Sequence, residues 1–210
     1  MKKEDLPKKI AIFPLPNAVF FPKTVLPLNI FEDRYLQLVS DCMKENRIFG
    51  MIQPKDTGGK KPDVYSVGCL GKIINFNETE DKRFIITLSG ITRFQIKEEL
   101  NTKKLYREFD VDYSPFFEDL DNKIIKKSHD KALLKKIEIF FSKINYAVEL
   151  DQLLKLNFDQ LVSTVCMISP FTISEKQKLI ETIKIEDKAK ILDEIISNNI
   201  FDLEENKTIQ

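Results

Sequence analysis

The chain has 210 residues, 42% apolar and 31% charged, a composition that supports a folded core. That length allows one large domain or two small ones, and it leaves no room for a motor and a catalytic unit side by side. The 33 basic and 33 acidic residues cancel, which argues against a dedicated nucleic-acid binder, because such proteins usually carry a basic footprint. Residues 1–114 hold 19 Lys/Arg and 16 Asp/Glu, and residues 115–210 hold 14 and 17, so neither half generates a strong single-sign field. Cys42, Cys69 and Cys166 are widely spaced and form no CxxC pair. They read as small buried residues rather than a disulfide framework or a zinc ribbon. The charged start is followed by repeated prolines, and no apolar run reaches 18 residues, so a soluble, cytoplasmic protein without a membrane segment is expected.

Residues 1–114 read mainly as short strands. Ile10–Phe13 is the first and Val25–Asn29 the second, with Pro27 pointing to an edge or bulge position. One helix interrupts them: Tyr35, Leu36, Val39, Cys42 and Met43 recur at spacings of three and four, with Asp33 as the expected N-cap. Phe49–Gln53 follows. Cys69–Phe76 and Arg83–Ser89 then flank a polar hairpin loop, and Phe94 and Ile96 alternate in a further strand. Phe109, Val111 and Tyr113 alternate with Asp110 and Asp112, the period of a half-buried strand.

After Pro115 the period becomes helical. Leu133, Leu134, Ile137, Phe140, Phe141 and Ile144 form one stripe. Asn157–Gln160 and Ser174–Gln177 have the shape of capping boxes, opening helices that reach Ile168 and Ile183. A last short helix is expected from Asp187 to Ile196, stopped by Asn198-Asn199, with a frayed tail from Asp202. The expected fold class is α+β: strands with one inserted helix over 1–114, then a helical subdomain over 115–210.

No catalytic constellation emerges. His129 is the single histidine, which removes any multi-histidine metal site. Ser128, His129 and Asp130 are consecutive on an expected helix, so they point in different directions and cannot face one another as a triad. The Thr57–Lys61 stretch lacks the second glycine and the hydroxyl residue of a phosphate loop. No cofactor and no metal is therefore expected. Lys123, Lys126, Lys127, Lys131, Lys135, Lys136 and Lys143 form a basic stretch, read first as the solvated back of the amphipathic helix.

The most specific segment runs from Ile12 to Tyr35: Phe13-Pro14-Leu15, then Phe21-Pro22, then Pro27-Leu28-Asn29-Ile30-Phe31-Glu32-Asp33-Arg34-Tyr35, followed by Phe49-Gly50. With Val67-Gly68, Ile91-Thr-Arg-Phe94 and Tyr106, this pattern closely resembles the N-terminal LON domain of ATP-dependent Lon proteases, and the resemblance covers nearly the whole chain. It implies a small PUA-like β-barrel followed by a helical bundle. It further implies a stand-alone, non-catalytic substrate-recognition or adaptor-like protein without the ATPase and protease modules. The implied partners are unfolded or exposed polypeptide segments, with a protease as a further candidate, and the expected state is a monomer or weak homo-oligomer. RNA binding is the alternative, because PUA-like barrels also occur in RNA-binding proteins.

The Pro/aromatic motif admits two readings. In the structural one, Phe31 packs on the strands and fixes the angle at which the chain enters the helix, while Glu32 and Arg34 pair to order the junction. In the functional one, Phe20, Phe21, Phe31, Arg34 and Tyr35 line an apolar surface that holds peptide.

Overall fold

A computed structural model of the chain describes residues 1–55, 61–121 and 131–208. Strands Lys9–Pro14 (β1), Val25–Ile30 (β2), Ile48–Ile52 (β3), Val67–Glu78 (β4), Phe84–Leu100 (β5) and Arg107–Asp112 (β6) make one sheet. The helices are Asp33–Lys44 (α1), Lys131–Lys143 (α2), Leu150–Leu153 (α3), Phe158–Ile168 (α4), Ile173–Glu181 (α5) and Ile185–Thr208 (α6), with 3-10 turns at Lys3–Asp5 and Ser114–Leu120. The α+β class stands. The chain forms two compact units: Met1–Asn122 with Thr172–Glu181, and Lys123–Phe171 with Thr182–Gln210.

In the first unit the sheet order is β2-β5-β4-β3-β1-β6, and β5 pairs with β6 as well. Among the described strand pairs, only β1 with β3 runs parallel. Strand β2 occupies the edge, with Pro27 opposite Thr87, where a missing N–H costs no ladder bond on the free side. Residues 83–89 and the following segment, read from sequence as separate strands, are one 17-residue strand. Its first part pairs with β2 and its last part with β6. The continuity passes through Gly90, which sits opposite Gly71 at a register shift between β4 and β5. Ile10, Ile12, Leu70, Phe94, Phe109 and Val111 fill the core. Gly68 admits no side chain there, because a Cβ would lie 2.4 Å from the Met51 carbonyl oxygen and 2.6 Å from the Phe94 ring.

Helix α1 follows its sequence pattern, burying Tyr35, Leu38, Val39 and Cys42. Its N-cap is Glu32, not Asp33, and no side chain caps it. Asp33 instead supplies negative charge in the first turn, where the helix dipole favours it. Helix α5 is capped two residues earlier than its sequence suggests. Thr172 and Glu175 form the box: the Glu175 N–H donates to Thr172 Oγ1 at 3.3 Å, and the Thr172 N–H donates to Glu175 Oε2 at 2.8 Å. This leaves Gln177 to point inward, 2% exposed.

In the second unit, α2 buries Leu133, Ile137, Phe140 and Phe141, and Phe171 packs on Phe140 with ring centroids 5.6 Å apart. Asn157 caps α4 as expected, accepting from the Gln160 N–H. The final helix overruns its expected stop: α6 is 24 residues long. Asn199 Nδ2 donates to the Ile195 carbonyl and Ser197 Oγ to the Asp193 carbonyl, each one turn back. These side chains thus bond within the helix rather than ending it. Lys136–Asp193 and Lys143–Glu204, both at 2.7 Å, pin α2 to α6, the second of them on that extension.

Candidate functional site

The Pro/aromatic segment divides sharply. Its Phe20-Phe21 end is buried, with Phe20 2% and Phe21 0% exposed. The paired glycines Gly71 and Gly90 explain the seating. A Cβ on Gly71 would lie 2.7 Å from the Phe20 ring, and one on Gly90 would lie 2.0 Å from the Phe21 carbonyl oxygen. Two facing residues without side chains leave a notch, and the Phe20–Phe21 segment fills it. Backbone bonds hold it there: the Lys23 N–H donates to the Gly90 carbonyl, and the Gly90 N–H to the Thr24 carbonyl, both at 2.9 Å. The buried Thr24 hydroxyl closes the turn onto the Phe21 carbonyl at 2.6 Å. Phe20 and Phe21 are thus core residues, and their apolar area is already spent inside the fold.

Tyr35 shares that fate. It is 5% exposed, its ring lies 4.0 Å from that of Phe13, and its hydroxyl donates to the Pro14 carbonyl at 3.4 Å. Burial raises the pKa of the phenol, with Arg34 pulling the other way. Arg34 itself is at the surface. Its guanidinium lies 4.5 Å over the Tyr35 ring and bonds Glu32 at 2.8 and 3.0 Å, so the charge-assisted pair at the junction is present. Phe31 departs from its structural reading. It is 63% exposed and does not pack inward, because Ile30, opposite Phe84, takes the inward place and alternation turns Phe31 outward. Of the five motif residues, the structure leaves Phe31 and Arg34 available to a ligand.

Two buried polar clusters were not foreseen. Arg93, 2% exposed, donates to both Asp119 carboxylate oxygens, at 2.9 and 2.7 Å, and to the Ile180 carbonyl at 3.0 Å. Its backbone N–H also donates to Asp119, and Phe116 stacks under the guanidinium at 4.6 Å. One side chain therefore ties β5, the Ser114–Leu120 turn and α5 together. Nearby, Gln53 Nε2 donates to Gln177 Oε1 at 3.1 Å, while Gln177 Nε2 donates to the Val67 carbonyl and to Glu181. Lys176, 5% exposed, donates to the Asn17 carbonyl at 2.7 Å. The Arg93-Phe94 pair was legible as part of a motif, but Asp119, 26 residues on, carries no local signal.

No reactive centre is evident among the described residues. All three cysteines are buried thiols outside any disulfide, and burial pushes the Cys42 thiol up to about 12, far from the thiolate a nucleophile needs. No group of three or more metal-ligating side chains occurs among the described residues, and no helix there is long and apolar enough to cross a membrane. Within the basic stretch, Lys136 and Lys143 are engaged by α6 carboxylates. Lys123, Lys126, Lys127, Ser128, His129, Asp130 and residues 57–60 lie outside the described residues.

Comparison with known proteins places this geometry. The model of the ATP-dependent protease La (LON) substrate-binding domain matches residues 9–198. The chain belongs to that family. A Lon protease from Anaeromyxobacter dehalogenans is 23% identical over 202 residues, which take in 94% of this chain and 24% of that protein. One from Desulfosudis oleivorans is 31% identical over 104 residues, 47% of this chain and 13% of that protein. The LON chain thus spans about a quarter of the length of the curated relatives that match nearly all of it. The N-terminal domain of the Mycobacterium avium complex Lon protease superposes with a TM-score of 0.64 at 15% identity, over 90% of this chain and 98% of that one. The Lon N-terminal domain protein from Xanthomonas campestris gives 0.61 at 18%, over 88% and 96%. The LON match takes in all six strands and α1–α5, together with both the buried and the exposed parts of the motif.

Proposed function

We propose that this LON domain is a non-catalytic polypeptide-recognition module that holds exposed or unfolded segments. Family membership over residues 9–198 carries the reading, and the exposure of Phe31 and Arg34 at the same end of the motif supports assigning it there. An apolar ring at the surface offers a client side chain the area that Phe20, Phe21 and Tyr35 no longer offer. The strand pairings run from β5 through β4, β3, β1 and β6 back to β5, which supports reading the sheet as a small PUA-like barrel with β2 as an outer edge. A soluble, cytoplasmic protein that passes its clients to a protease fits the same reading. No catalytic, metal or cofactor role is assigned to any residue. RNA binding gains no support from the two lysines that α6 carboxylates already engage.

The test is an NMR titration of the intact chain with an unfolded, aromatic-rich polypeptide. Shifts centred on Phe31 and Arg34, lost in Phe31→Ala, are expected. An unperturbed spectrum at millimolar peptide would overturn the proposal.

A further inference from the structure

Next to the exposed end of the motif lies an open groove of about 470 Å³ whose charged lining is mostly cationic. Arg34, Lys61, Lys104 and Arg107 line it, against the single carboxylate of Glu99. Glu99 is fully committed. Arg107 grips it bidentately at 3.0 and 2.9 Å, and Lys61 bonds it at 2.7 Å. Those contacts, led by the Arg107 hydrogen bonds, depress its pKa to about 2. Arg107 also donates to the Pro62 carbonyl and is largely covered, so it fixes the floor. Lys104 reaches Glu108 at 3.2 Å and lies 5.0 Å over the Tyr106 ring. Lys61 and Arg34 remain 66% and 46% exposed.

The charge does not cancel. The lining alone carries four cations and one anion. Adding the outside partners Glu32, Glu108 and Lys9 gives five cations and three anions. Leu105 stands in the same lining, 62% exposed, its backbone N–H held by Gln37 at 2.8 Å. The loop therefore presents an apolar side chain between cations, on a backbone anchored to α1. Extended peptide fits such a surface when an apolar residue lies between carboxylates.

We propose that this groove selects acidic polypeptide segments, in which Asp or Glu residues flank an apolar side chain. The inference rests on the polypeptide-recognition reading above and adds the client's chemical class. Arg34 and Lys61 meet the carboxylates as exposed, adaptable charges, Leu105 takes the apolar side chain, and Arg107 with Glu99 holds the groove's shape. Because the charges face solvent, the attraction is screened within about 8 Å at physiological salt.

Fluorescence anisotropy on the intact chain tests it, with three labelled unstructured peptides of equal length: one with Leu and Phe between Glu residues, one with the Glu replaced by Gln, and one with Lys. The acidic peptide is expected to bind at least tenfold more tightly than the Gln peptide, and the Lys peptide weakest. The advantage should shrink as salt rises from 50 to 500 mM. Arg34→Glu with Lys61→Glu should remove it, and Leu105→Ala should weaken the acidic peptide severalfold. Circular dichroism melts show whether each variant stays folded. Should the double variant unfold, Lys61→Gln alone serves, with a severalfold loss expected. Equal binding of the acidic and Gln peptides, still sensitive to Phe31→Ala, overturns the groove and keeps the recognition role. No binding of any peptide overturns both.

Discussion

The two ends of the Pro/aromatic motif are chemically alike and structurally opposed. Phe20-Phe21 and Phe31 are all phenylalanines set near prolines, within a dozen residues of each other. The first pair is sealed in the core and the last stands 63% exposed. What separates them is the opposing surface. Gly71 and Gly90 leave a notch that rings and backbone fill, whereas Phe31 falls on the outward phase of the chain as it leaves β2. Side-chain type sets how much apolar area is at stake, and the neighbour decides whether it is buried.

That contrast can be broken from the buried side first. Arg93→Met removes the cation that satisfies Asp119 and leaves a nearly covered carboxylate without its ion-pair partner, so a loss of about 3–5 kcal/mol is expected in denaturant melts. A change below about 1 kcal/mol would mean that the clamp contributes little. Gly90→Ala forces a Cβ against the Phe21 carbonyl, where backbone must shift. A loss of about 3 kcal/mol is expected by the same measurement, and full native stability would refute the notch.

On the exposed side the effects on stability are small. Glu99 contributes through a carboxyl whose pKa is depressed to about 2 in the fold. Its contribution is present above its unfolded pKa, about 4.3, and is lost as pH falls from there toward 2. Glu99→Gln should therefore flatten the acid limb of stability between about pH 4.5 and 2. An unchanged limb would show that the pairs with Arg107 and Lys61 add nothing. Arg34→Ala breaks an exposed pair and should cost about 0.5 kcal/mol. Phe31→Ala should change stability by no more than about 0.5 kcal/mol while abolishing the peptide-induced NMR shifts. A large stability loss there would make Phe31 a core residue after all and erase the comparison.

Much of the fold was legible because it is local. The strand and helix positions follow from alternation and from three-and-four spacing. Pro27 announced an edge or a bulge, of which the edge is what β2 forms, and Asn157 announced a helix start. The errors were local signals overruled by partners. Asn198-Asn199 read as a stop, but the helix runs through them and Asn199 bonds within α6, which the α2 lysines brace. Ser174 read as a cap, but the Thr172–Glu175 box preceded it and left Gln177 to Gln53. The motif named its residues without saying which of them faced out.

By itself the sequence determined the element types, the α+β class and the family resemblance, because periodicity and a long specific motif survive without any knowledge of what packs on what. The tertiary structure alone decided which aromatics were buried, that Arg93 closes on Asp119, and that Arg34, Lys61, Lys104 and Arg107 converge on one groove. Those outcomes depend on residues up to about 90 positions apart meeting across strands. Burial, charge pairing and exposure are properties of such meetings rather than of any single stretch of chain.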